Sequence, residues 1–147
     1  MKIKLNVNPS KYDELKIMLE DKGFIIDENA DYVLSESKTL YLNVKDEYQN
    51  KISIIINDIV YIESYGHELR VYTDDKIYTC NERLYILSQK LDAQQFIRIS
   101  NSVIIARNKI KHIKPTFSMK FILTMSNGNL VDVTRSYYYI FKEEFNI

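Results

Sequence analysis

Cysteine is almost missing: Cys80 is the only one in 147 residues. An internal disulfide is excluded, and a reducing compartment fits. With only His67 and His112 to join it, a zinc or other metal site is not expected. Glycine is scarce as well. Gly23, Gly66 and Gly128 stand too far apart to form a phosphate-cradling loop, and no Gly-x-Ser-x-Gly elbow exists. Nothing marks a catalytic residue or a cofactor, so the chain is not expected to be an enzyme. Two prolines leave Asn and Asp to make most of the turns. Uninterrupted apolar runs stay short, as at Ile54–Ile56 and Val103–Ala106. None approaches the ~18 to 20 residues of a membrane span. The opening Met1-Lys2-Ile3-Lys4 alternates charge with apolar residues, so no secretory segment is expected and the location expected is cytoplasmic.

What is present is an ordinary globular composition, 46% hydrophobic and 27% charged, with a formal net charge of zero. The zero conceals a division. Residues 1–50 carry seven Lys/Arg against ten Asp/Glu, and residues 51–147 carry thirteen against ten. Within the second part, Ala93 to Val131 has no acidic residue but holds Arg98, Arg107, Lys109, Lys111, Lys114 and Lys120. An acid-free stretch with six fixed cations is a footprint for an anionic partner. A basic face that meets an acidic protein is the other reading.

Periodicity divides the chain in the same place. Ile3, Leu5 and Val7 alternate as a strand. A helix follows, opened by Pro9 with Asn8 or Ser10 as cap and stopped by Gly23. Strands near 24–26 and 32–34, and a third carrying Leu40, Leu42 and Val44, complete a small α+β unit over residues 1–45. The polar run Lys45 to Asn50 is the expected boundary. Residues 51–147 then read mostly as short strands. The exceptions are a helix carrying Leu84, Leu87 and Leu91 and a terminal helix over 137–145. Asp74-Asp75 and Asn127-Gly128 mark hairpin turns, the latter of the two-residue kind. A receiver domain is not expected, because the first strand ends in Asn8-Pro9 where an acidic pair is needed.

The segment from Phe96 to Ile110 interleaves apolar anchors with Arg98, Asn101, Ser102, Arg107 and Lys109. That mixture suits a loop that holds phosphates and reads bases. It also suits a plain surface turn between two strands. Ordered blocks decide between them. These are Asp58 to His67, Leu84 to Leu91 followed by Phe96-Ile97-Arg98-Ile99, Ser102 with Lys109 to Ile113, and Asn127-Gly128 followed by Val133 to Tyr137. In this order they resemble a LytTR domain, a DNA-binding module of bacterial transcriptional regulators, over residues 51–147. Ser100 and Asn101 depart from the family's commoner residues, which bears on the base sequence recognised more than on the fold.

The resemblance implies a mainly β, elongated body of several sheets with short helices. It implies loops inserted into successive major grooves of double-stranded DNA, with His67, Asn101 and Arg135 at base edges. Arg98, Ser102, Arg107, Lys109 and Lys111 are then the phosphate-contact candidates. It further implies a homodimer on paired direct repeats, and for some stand-alone members a small membrane-protein partner. Residues 1–45 would serve dimerisation or regulation. No metal or organic cofactor is implied. An enzyme housed in the N-terminal unit would instead need a deep pocket with convergent polar groups there.

Overall fold

The alternation around Ile3 and Leu5 forms strand β1 (Lys2–Asn6), with both side chains buried. In the computed structural model, which describes residues 1–36 and 40–147, it is the centre of a small parallel sheet. Helix α1 (Pro9–Asp21) starts at Asn8, whose side chain accepts a hydrogen bond from the Ser10 N–H at 3.0 Å. Asn8 rather than Ser10 is therefore the cap. Gly23, at φ +92°, turns the chain out of the helix, a conformation that side chains beyond hydrogen resist. β2 (Ile25–Ile26) and β3 (Tyr32–Ser35) flank β1 in the order β2-β1-β3. These elements make up the unit Met1–Lys38.

The strand expected to close that unit belongs elsewhere. β4 (Tyr41–Lys45) pairs antiparallel along its whole length with β5 (Lys51–Ile55), inside the second unit, Thr39–Ile147. The reason is burial: Leu42 and Val44 alternate onto a core built from later residues, not onto Ile3 and Leu5.

The second unit is mainly β, with several sheets and short helices. β6 (Tyr61–Tyr65), β7 (Glu68–Tyr72), β8 (Ile77–Cys80), β9 (Phe96–Arg98) and β10 (Val103–Ala106) join β4 and β5 in one antiparallel sheet. Its order is β5-β4-β8-β7-β6-β10-β9. β11 (Ile110–Pro115), β12 (Phe121–Met125) and β13 (Leu130–Val133) form a second, three-stranded sheet. Helix α2 (Leu84–Lys90) lies between β8 and β9. A 3-10 turn, Arg135–Tyr137, leads into helix α3 (Tyr138–Glu144).

The seven-stranded sheet has a core on each face. Ile62, Leu69, Val71 and Ile104 point one way, where Leu84, Leu87 and Leu91 join them. Tyr61, Tyr72, Val103 and Ile105 point the other way, to Phe121, Leu123, Val133 and Phe141. That is why Val103–Ala106 is apolar at every position: both faces of β10 are covered. Tyr61 stacks on Tyr72 with ring centroids 4.1 Å apart, and its hydroxyl accepts from Asn129 Nδ2 at 3.0 Å. Burial pushes the Tyr61 phenol up to about 12.

Two turns refine the sequence reading. Asp74 and Asp75 do lie between β7 and β8, where Thr73 N–H donates to the Lys76 carbonyl at 2.9 Å. The Asn127-Gly128 turn spans Ser126 to Asn129, longer than a two-residue hairpin. The Asn127 side chain accepts from Asn129 N–H and builds a wider loop, with Gly128 at φ +85°.

Candidate nucleic-acid interface

Strand direction brings the expected base-reading residues to one end of the second unit. β6 runs into the turn carrying Gly66 and His67, with Gly66 at φ +62°. β10 begins beside it: Val103 is the register partner of Glu63, and Ser64 N–H donates to the Ser102 carbonyl at 2.7 Å. The β9–β10 turn with Asn101 is therefore adjacent to the β6–β7 turn with His67. The chain after β13 joins them, because Thr134 N–H donates to the Ile99 carbonyl at 3.0 Å. Arg135 follows directly. His67, Asn101 and Arg135 are all exposed.

Each has a distinct local setting. Asn101 Oδ1 accepts from the Tyr137 hydroxyl at 3.1 Å, which fixes the amide's orientation and leaves its two N–H donors without a partner among the described residues. The same bond ties the Asn101 turn to the Arg135 segment. Arg135 makes no ion pair among the described residues, neither with Asp132 nor with Glu143. Its guanidinium is open to a phosphate or a guanine edge.

The phosphate candidates divide. Arg98 braces the reading turn: Nε donates to the Ser100 carbonyl at 3.0 Å and Nη2 to the Asn101 carbonyl at 2.6 Å. Ser102 is exposed in that turn, with its N–H on Ser100 Oγ at 3.2 Å. Arg107 and Lys109 lie toward the opposite end. Arg107 pairs with Glu144 at 3.1 Å and Lys109 with Asp74 at 3.7 Å, in the β7–β8 turn. Lys111 is exposed, near the Ile110 end of β11.

The sequence reading did not single out Lys114 and Lys120. Both are exposed and both flank the β11–β12 turn, at the end where Phe121 pairs with Val133 and hence beside Arg135. The available signal was their place in the acid-free stretch, and only strand direction separates them from Lys109. Arg70 was also missed. Its guanidinium sits 3.5 Å from the Tyr65 ring centroid, next to the His67 turn.

The Arg98 brace makes a distinct expectation. Arg98→Ala and Arg98→Lys should both weaken duplex binding and leave its salt dependence unchanged, because neither side chain reproduces the planar fork whose Nε and Nη2 reach the two carbonyls. The loss of folding stability should be about 1 kcal/mol. Full recovery of binding by the lysine variant would assign the residue a phosphate contact instead.

Comparison with known proteins shows the family. The family model for the LytTr DNA-binding domain matches residues 49–146. The sensory transduction protein LytT of Enterococcus faecalis is 31% identical over 100 residues, covering 67% of this chain and 41% of that protein. LytT of Bacillus anthracis is 31% identical over 127 residues, covering 86% and 48%. The transcriptional regulatory protein YpdB of Escherichia coli K12 is 34% identical over 105 residues, covering 71% and 42%. The chain thus spans less than half the length of these relatives. A solved LytTr DNA-binding domain from Bacillus cereus superposes with a TM-score of 0.70 at 26% identity, over 74% of this chain and 99% of that one. Matched by the family model over most of its length, and folded like a solved member, this chain belongs to the LytTr DNA-binding domain family.

Proposed function

We propose that the chain is a sequence-specific, double-stranded DNA-binding transcriptional regulator. The observation that carries this is the convergence of three exposed loop residues, His67, Asn101 and Arg135, at one end of a sheet buried on both faces. Around them lie Lys114 and Lys120, free of any ion pair among the described residues. The loops enter successive major grooves. Arg135 is matched to guanine O6/N7, and Asn101 to adenine N6/N7. His67 donates or accepts at a base edge. Ser102 and the free lysines set the register on the phosphates. Two copies occupy paired direct repeats, and the N-terminal unit serves dimerisation or regulation rather than DNA contact. A small membrane protein as restraining partner and a cytoplasmic location complete the reading. Among the described residues no helix is long and apolar enough to cross a membrane.

The test is selection of bound sequences from random duplex DNA, repeated with Arg135→Ala, Asn101→Ala and Lys2→Ala. Arg135→Ala should cost about 1 to 3 kcal/mol on the selected sequence and relax the choice at one position. Asn101→Ala should mainly blunt discrimination, since an uncharged amide adds little to non-specific attraction. Lys2→Ala, in the N-terminal unit, should behave as wild type. Unchanged affinity and unchanged preference in both loop variants would remove these residues from the site.

A further inference from the structure

The turn between β11 and β12 carries Phe117 at its tip. No other large apolar side chain among the described residues is as exposed. The turn keeps its shape without that ring. Thr116 N–H and the Thr116 hydroxyl both donate to the Lys120 carbonyl, each at 3.0 Å, and Met119 at φ +57° folds the chain back toward β12. A phenyl ring left in water adds nothing to the stability of the fold.

Single exposed apolar residues are ordinary on a protein surface, and the setting distinguishes this one. Lys114 and Lys120 flank the turn, both exposed and without an ion pair among the described residues. No acidic residue occurs between Ala93 and Val131, so the turn attracts a polyanion. The turn also lies beside the Arg135 segment. β12 leaves it at Phe121, whose register partner is Val133, and Arg135 follows Val133 by two residues. Adjacent strands stand ~4.8 Å apart and the major groove of B-DNA is about 12 Å wide, so one groove admits both segments. The apolar feature that a phenyl ring recognises there is the C5 methyl of thymine.

We propose that Phe117 reads a thymine methyl in the major groove that Arg135 enters, with Lys114 and Lys120 on the flanking phosphates. The proposal rests on the DNA-binding reading above and adds an apolar contact to its polar ones. The test uses the duplex selected from random sequence, with each thymine replaced in turn by deoxyuridine, which lacks only the methyl. One replacement, near the position relaxed by Arg135→Ala, should weaken wild-type binding about three- to fourfold. Phe117→Ala should bind the unmodified duplex more weakly by at least that factor and be indifferent to that replacement. Its melting temperature and salt slope should stay at the wild-type values, since neither core volume nor charge is lost. If the wild type binds the selected duplex and no replacement weakens it, the proposal falls while the DNA-binding reading stands. The same holds if Phe117→Ala remains sensitive to the same replacement. Absence of any duplex selectivity would bring down both.

Discussion

Raising the salt from about 50 to 200 mM should weaken duplex binding by two to three orders of magnitude, if about four to six phosphates are neutralised. The log-log slope then lies near −4 to −5. The cations available are Arg135, Lys114, Lys120 and Lys111, all exposed and without carboxylate partners among the described residues. Arg107 and Lys109 should contribute little, because Glu144 and Asp74 already neutralise them. Substituting either should leave the slope alone, whereas Lys120→Ala should reduce it. The measurement is a binding titration at four or five salt concentrations. A flat profile would sink the DNA-binding reading.

The largest stability effect is expected from Phe141→Ala. Phe141 is fully buried and lies 5.3 Å from Phe121 and 4.4 Å from Phe145, ring centroid to ring centroid. It is the only fully buried residue of α3, with the half-buried Tyr138 stacked on Phe121 beside it at 4.9 Å. Truncation should cost about 3 to 5 kcal/mol, which lowers the melting temperature by roughly 15 to 30 °C for a unit of this size. Loss of DNA affinity should accompany it even at low temperature. Tyr137 immediately precedes α3 and donates the hydroxyl that orients Asn101. A near-wild-type melting temperature would show that α3 does not close the second core.

Much of this arrangement was legible before any coordinates. Period-two alternation marks β1, β4 and β13, and the Leu84, Leu87 and Leu91 spacing marks α2. β10 was not legible, because a strand covered on both faces has no alternation to read. Nor was the ownership of β4. Alternation says that Leu42 and Val44 face a core but not which one, and the partner β5 lies beyond a polar run that reads as a boundary. For the candidate site, residue type and ordered blocks pointed to His67, Asn101 and Arg135, and the structure brings these three exposed residues to one end of the second unit. Charge alone could not sort the cations. Arg98 and Arg107 have the same side chain, yet one braces a turn and the other pairs with Glu144, and only tertiary partners distinguish them.

The bond from Ser64 N–H to the Ser102 carbonyl has a consequence for how such a protein can change its target. That rung holds the strands that lead to the two turns, β6 and β10, at the ~4.8 Å separation of adjacent strands. Side-chain identity does not enter that distance. A tip residue can be exchanged for another without altering that separation. The backbone thus serves as a ruler common to every tip variant.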